Sequence, residues 1–327
     1  MRIVILDGGT VNPGDISWEP LESLGEVSVY SSTPKEKVVE RIGDAVAILC
    51  TRTRIPREVF ACCPQLRYVG LFATGYNIVD IDAATEHGAI VCNVPGYSTE
   101  AVAQHTFALL LEICQHVSDF DRLAHTGCWE EGPQYYSRQP LLELRGKTMG
   151  IIGMGEIGYR TAKIAEAFGM QVLGTRRHPD PAMETQQIHF ADFTTLLRES
   201  DIISIHCPLF PETRHLINRE TISQMKDGAI LLNTARGPIL QEEDVAQALK
   251  SGKLSAVGVD VLSVEPPDKE NPLLQAPNCI VTPHIAWAPR DTRIRLVEMV
   301  AENLQAFMRG KPIHMVNPEA WREKIED

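Results

Sequence analysis

Positive charge is in short supply in this sequence. Its 31 Lys and Arg stand against 43 Asp and Glu, a formal net charge of -12. A surface of that sign repels polyphosphate backbones and anionic lipid, so neither a nucleic acid nor a membrane is an expected partner; a local basic pocket stays open. Long apolar runs are missing too. The longest, around Phe107–Ile113, falls far short of the roughly 20 residues that span a bilayer. The start, "MRIVILDGG", lacks a basic stretch followed by an apolar one; it reads as a strand and a turn rather than an export peptide, and the expected location is cytoplasmic. The eight cysteines never form C-x-x-C. Cys62 and Cys63 are adjacent and the others scatter through apolar runs such as "AVAILC". That spacing argues against a disulfide framework or a metal site, and for reduced, buried thiols. Repeats, low-complexity tracts and long charge blocks are absent as well.

What remains is a soluble globular composition, 44% apolar and 23% charged, over 327 residues. That length suits two domains, each with its own core. In the first hundred residues the strand candidates "RIVIL", "EVSVY", "AVAILC", "LRYVGLF" and "AIVCNV" alternate with helical patterns such as "PKEKVVERIG" and "DIDAATEHG". The second pattern closes at a C-cap Gly88. Short β-branched strands alternating with helices predict an α/β fold with a doubly wound parallel sheet. Next, "STEAVAQHTFALLLEICQHVSDFDRLAHTG" places Val102, Thr106, Leu109, Ile113, Val117 and Phe120 at three- and four-residue steps. The spacing predicts one long buried helix, capped by Ser98 or Thr99 and crossing between domains. A second series, "TMGIIG", "MQVLGT", "DIISIHC", "GAILLNT", "AVGVDV" and "CIVTP", predicts a larger six-stranded parallel sheet. The amphipathic "TRIRLVEMVAENLQAFMRG" would return the chain to the first domain.

The stretch "GIIGMGEIGYRTAKIAEAFG" carries the chemistry. Its glycines are spaced G-x-G-x-x-G between a strand and a helix over 157–168, opened by Glu156 and Ile157. Gly153 permits the tight turn, Gly155 leaves the backbone open to a pyrophosphate, and Gly158 lets helix and strand pack closely. The helix N-terminus offers unpaired N–H groups and the positive end of its dipole. A turn that binds nothing is the dull alternative, but strand, helix, Gly169 stop and second strand all stand in the confirming order. An acid about 20 residues on would read a ribose 2′-hydroxyl. Here "QVLGTRRHPD" puts Thr175, Arg176 and Arg177 in its place. A guanidinium grips a 2′-phosphate that a carboxylate would repel, so NADP(H) is expected over NAD(H). NAD(H) stays possible, since Asp180 could turn in and the Arg pair could simply be solvated.

Three later motifs, "NTARGPIL", "GVDVLSVEPP" and "VTPHIAW", each follow a predicted strand. Together with "GMGEIG" they resemble the D-isomer-specific 2-hydroxyacid dehydrogenase family over nearly the whole chain. The stretches "ATGYNIVDI", "PGYSTEAVAQHTFALLLE" and "PHIAWAPR" are most similar to its glycerate dehydrogenase and hydroxypyruvate reductase branch. That branch often has Asp where Arg176 stands, which loosens the link between branch and coenzyme. The resemblance implies a flavodoxin-like substrate domain from residues 1–98 and 289–327, a Rossmann coenzyme domain from 99–288, and a homodimer.

It also implies that Arg236, Glu265 and His284 are catalytic. The chemistry asks for such a set. Imidazole ordinarily titrates near neutral pH and suits a proton donor to a carbonyl oxygen. A neighbouring carboxylate orients an imidazole and favours its charged form. A guanidinium clamps a substrate carboxylate. Each taken alone has a bland reading: a structural histidine, a plain turn at "EPP", a surface salt bridge. By the same resemblance Ala73, Thr74, Gly75 and Trp287 line the substrate, and Cys207, Pro208, Thr213, Thr234, Ala235 and Asp260 the coenzyme. Ala73–Gly75 could be an ordinary turn, Trp287 a core aromatic and Asp260 a helix cap. His206 and His215 read as structural. Trp129, Tyr135 and Tyr136 in "CWEEGPQYYSRQPLLEL" either set selectivity or pack. The expected activity is reduction of a short 2-keto acid such as hydroxypyruvate or glyoxylate. Two alternatives stand beside it: a dinucleotide-sensing protein similar to the corepressors of this fold, and an enzyme of the same fold with another hydride donor, such as formate or phosphite.

Overall fold

The structure, a computed structural model, describes residues 1–127, 129 and 140–322. Tyr135 and Tyr136 lie outside them. The chain forms two compact units, one of residues 1–97 with 288–327, the other of residues 98–287.

In the first unit, β1 (Arg2–Ile5), β2 (Glu26–Val29), β3 (Ala47–Cys50), β4 (Tyr68–Leu71) and β5 (Ile90–Cys92) run parallel in the order β2-β1-β3-β4-β5. The inner strands are apolar on both faces because helices cover both sides: Ile3, Val4, Ile5, Ile48, Leu49, Val69 and Leu71 are wholly buried. On one face Val59 and Phe60 of the helix Arg57–Cys62 join Ala83 and Ala84 of the helix Ile81–His87 over β1, β3 and β4. The second of these helices is capped as its sequence demands. Asp80 accepts the Ala83 N–H at 2.9 Å, and Gly88 ends it in the left-handed region at φ 72°. The long helix Arg290–Met308 belongs to this unit. Its Phe307 ring lies 4.9 Å from that of Tyr68.

In the second unit β6 (Thr148–Ile152), β7 (Gln171–Thr175), β8 (Ile188–Phe190), β9 (Ile202–Ile205), β10 (Ala229–Asn233), β11 (Leu254–Val259) and β12 (Cys279–Val281) are also all parallel. Their order is β12-β11-β10-β9-β6-β7-β8, so the sheet reverses direction of growth between β6 and β9. Such a reversal opens a crevice at the carboxyl ends of the strands, where ligands of doubly wound folds bind.

The sheet has seven strands rather than the expected six. Ile188–Phe190 is too short to announce itself and gains its place by pairing with β7. The single long helix is corrected as well. The helix Thr99–Gln115 stops at His116, whose φ of 49° is left-handed, and a separate helix runs over Val117–His125. The break turns the apolar stripe away from the core. Val102, Thr106, Leu109 and Ile113 are buried, whereas Val117 is 62% exposed. Ser98 occupies the N-cap position without a side-chain cap bond. Seven cysteines are described and all are free; four are buried, Cys207 and Cys279 are half-buried, and Cys62 is exposed, against the expectation of burial. Among the described residues no helix is long and apolar enough to cross a membrane, and no cluster of His, Cys, Asp or Glu could hold a metal.

Candidate active site

The glycine turn is built by steric necessity. Gly153 follows β6 with φ 96°, and a Cβ there would meet the Cys207 backbone nitrogen at 2.5 Å. Gly158, in the helix Glu156–Ala167, packs so tightly that a Cβ would lie 2.3 Å from the Gly153 carbonyl oxygen. Gly155 differs: an added Cβ meets no protein atom within 4 Å. It is the N-cap of that helix, and a side chain there would stand where a phosphate approaches the exposed N–H groups of Glu156 and Ile157. The residues present therefore fit a pyrophosphate, held by backbone rather than by side-chain charge.

Thr175, the last residue of β7, closes the turn from the other side. Its carbonyl accepts the N–H groups of Gly153 (3.2 Å) and Met154 (2.8 Å). Arg176 and Arg177 then emerge exposed. Among the described residues neither guanidinium forms an ion pair, and Arg176 only touches Met183 Sδ at 3.0 Å. Asp180 instead caps a short turn by accepting the Ala182 N–H. Cys207 and Pro208 follow β9, beside Gly153, and burial pushes the Cys207 thiol up to about 11, so it is not a nucleophile at neutral pH. Thr213 is tied to Pro208 and Phe210 by its hydroxyl.

Arg236, Glu265 and His284 follow β10, β11 and β12, three neighbouring strands. Glu265 and His284 meet, with Oε2 2.7 Å from Nδ1. Arg236 stands at the start of a tight turn whose geometry Asn233 fixes. This wholly buried residue donates to the Arg236 carbonyl (2.9 Å) and accepts the Ala235 N–H (3.0 Å). Thr234 Oγ1 bonds Thr106 Oγ1 at 3.0 Å. Trp287 donates its indole N–H to the His284 carbonyl, so it packs on the loop of the histidine.

Asp260 caps no helix. Its carboxylate, 1% exposed, accepts the Thr282 hydroxyl (2.6 Å) and the N–H groups of Ile285 (2.9 Å) and Ala286 (2.8 Å). Its carbonyl accepts the His284 N–H at 2.8 Å. Together they hold His284 at a left-handed φ of 55°, which few non-glycine residues adopt without support. Burial raises the Asp260 carboxyl, but the hydrogen bonds from His105, Thr282, Ile285 and Ala286 outweigh it, and the group titrates below the usual carboxylate range. His105, on the helix Thr99–Gln115, reaches Thr282 Oγ1 at 2.9 Å and Asp260 at 3.4 Å. Sequence reading missed His105, Thr282 and Asn233. The one available signal was a polar residue inside an apolar pattern, at a strand end for Asn233 and Thr282 and within a helix for His105.

In the first unit, Ala73, Thr74 and Gly75 follow β4 in a turn tied to the segment after β5. Val94 N–H donates to Ala73 O (2.9 Å), Asn93 Nδ2 to Thr74 O (2.7 Å) and Thr74 Oγ1 to Val94 O (2.9 Å).

A reversing parallel sheet, a glycine turn at its first strand and an imidazole–carboxylate pair on neighbouring strand ends define a Rossmann-type, nicotinamide-dependent oxidoreductase. Comparison with known proteins narrows this. The family described as "D-isomer specific 2-hydroxyacid dehydrogenase, NAD binding domain" matches residues 107–286. The hydroxypyruvate reductase of Blautia hydrogenotrophica is 50% identical over 97% of this chain and 100% of its own. The glyoxylate reductase of Thermofilum pendens is 38% identical over 87% and 85%. The solved TT0316 protein of Thermus thermophilus superposes with a TM-score of 0.86 at 37% identity, covering 97% and 100%. This chain belongs to the D-isomer-specific 2-hydroxyacid dehydrogenases.

Proposed function

We propose that this dehydrogenase reduces a short 2-keto acid, hydroxypyruvate or glyoxylate, to the D-2-hydroxy acid, with NADP(H) preferred over NAD(H). The observation that carries the reading is the 2.7 Å bond between His284 Nδ1 and Glu265 Oε2. It commits Nδ1 to the carboxylate and leaves Nε2 as the nitrogen that passes a proton to the carbonyl oxygen. The coenzyme, when bound, supplies the hydride to carbon. Glu265 orients the ring and stabilises the imidazolium before transfer, and Arg236 binds the substrate carboxylate. The N–H groups of Ala73, Thr74 and Gly75 are assigned to the same carboxylate. Trp287 shapes the histidine side of the site.

Gly153, Gly155, Glu156, Ile157 and Gly158 would hold the pyrophosphate. Thr175, Arg176 and Arg177 would hold the adenosine ribose with its 2′-phosphate. Cys207, Pro208 and Thr213 would face the adenine, and Thr234, Ala235 and Asp260 the nicotinamide end. The two exposed guanidiniums, with no ion-pair partner among the described residues, support the choice of coenzyme. The units 1–97 with 288–327 and 98–287 are assigned to substrate and coenzyme, and two chains to a homodimer.

The test is a panel of 2-keto acids assayed with NADPH and NADH, together with His284→Gln. Hydroxypyruvate or glyoxylate with NADPH should give the highest kcat/KM. His284→Gln should lose roughly 10²–10⁴-fold in kcat, the usual share of a general acid, while NADPH binding stays intact. A kcat within a few fold of the parent removes His284 as the proton donor. Absence of turnover on every 2-keto acid would favour a coenzyme sensor instead.

A further inference from the structure

Glu265 stands in a long irregular segment between β11 and β12, so its meeting with His284 requires something to hold that segment. A loop residue 1 Å out of place forfeits much of its effect. Two features outside the catalytic set supply the hold.

The first is Glu242, which opens the helix Glu242–Ser251. Its Oε1 accepts the Ser263 N–H at 2.7 Å, and its Oε2 accepts Asn271 Nδ2–H at 2.9 Å. Asn271 is 9% exposed and in turn accepts the Leu273 N–H at 3.0 Å. One carboxylate thus bridges two points of the segment, two residues before Glu265 and six after it.

The second is Gly237, next to Arg236. A Cβ there would lie 2.0 Å from the Leu262 carbonyl carbon and 2.3 Å from the Ser263 nitrogen. Its φ is not positive, so the position needs glycine for close approach of two backbones rather than for an unusual conformation. Glu265 closes the arrangement from within, accepting the Leu262 N–H at its Oε1 (3.1 Å) while its Oε2 binds His284. The Leu262–Ser263 peptide is therefore held between Gly237 and Glu242, and Glu265 takes the N–H of the peptide just before it.

We propose that Glu242 is a positioning residue for the acid–base pair: its carboxylate pins the Ser263–Asn271 segment against Gly237 so that Glu265 meets His284. The proposal rests on the roles given to Glu265 and His284 above. Glu242 itself touches neither substrate nor coenzyme in this scheme, and its effect passes through Glu265.

The experiment is a double-mutant cycle on the full chain, read as kcat for 2-keto acid reduction and as NADPH affinity by fluorescence. Glu242→Ala should lower kcat roughly 10- to 100-fold, the scale of a misplaced catalytic group, while the NADPH Kd stays within about twofold. In a Glu265→Gln background the same change should alter kcat by less than about twofold, because residues acting as a unit are not additive. Asn271→Ala, a milder cut of the same bridge, should repeat both results in smaller measure and guards against a folding defect in the first variant. Equal losses in the two backgrounds overturn the proposal, as does NADPH affinity falling in step with kcat. If Glu265→Gln is slow but Glu242→Ala is as fast as the parent, this proposal alone fails. If Glu265→Gln keeps full kcat, the role of Glu265 fails and takes that of Glu242 with it.

Discussion

Asp260 commits its carboxylate to the turn that carries His284, taking the Thr282 hydroxyl and the N–H groups of Ile285 and Ala286. An amide in its place offers one oxygen and turns an N–H₂ towards donors. Asp260→Asn should therefore lower stability by about 1–3 kcal/mol, the cost of leaving a buried donor unpaired. Thermal melting checks the stability, and a parallel fall in kcat would show that the turn has moved. Arg176 follows β7, exposed and without an ion-pair partner among the described residues. Arg176→Asp should raise KM for NADPH by roughly tenfold or more, the worth of one charge-assisted hydrogen bond, and leave NADH nearly unchanged. Equal losses with both coenzymes would exclude a phosphate contact.

At the scale of elements, the strand–turn–helix from β6 into Glu156–Ala167 is the piece whose form its residues dictate most strictly. Gly153 needs a positive φ and sits 2.5 Å, measured from a notional Cβ, off the Cys207 nitrogen. Gly153→Ala should weaken coenzyme binding and lower the melting temperature together, since the new methyl must push the β9 end away from the turn. Intact NADPH affinity in that variant would mean that the turn does not hold the phosphates. Other elements were less legible. His116 breaks the helix after Gln115 by adopting a left-handed conformation, which no residue type there requires. β8 exists only because β7 offers it an edge. Periodicity carries neither fact, because each depends on what the neighbouring segment leaves open.

Across the whole molecule, acid should act on the second unit before it acts on the carboxylates. His206, bonded to Ser204 Oγ at 2.8 Å, is pushed down to about 4 by desolvation. It stays neutral in the fold while the unfolded chain takes up a proton below about 6.5. The unfolded state therefore binds more protons between about 4 and 6.5, and stability falls as pH drops through that window, by up to roughly 3 kcal/mol. Asp201 and Asp260, whose carboxyls are held low, lose their contribution only below that range. Melting curves from pH 7 to 4 should show the decline, and His206→Gln should flatten it. A decline of the same size in the variant would assign it to other groups.

The amino-acid sequence alone determined what short-range sterics and polarity can enforce. The parallel α/β character followed from β-branched strands alternating with helices, the Gly153–Gly158 turn from the spacing of its glycines, and the end of the helix Ile81–His87 from Gly88. Motifs after three strands singled out Arg236, Glu265 and His284. Tertiary structure decided which of these groups touch and what holds them. The bond from Glu265 to His284, the buried carboxylate of Asp260 behind the histidine turn, and the bridge from Glu242 to Ser263 and Asn271 join residues 19 to 29 positions apart. Such pairings come from strand order and from the demand that every buried polar group find a partner, and neither is written in the local pattern of the chain.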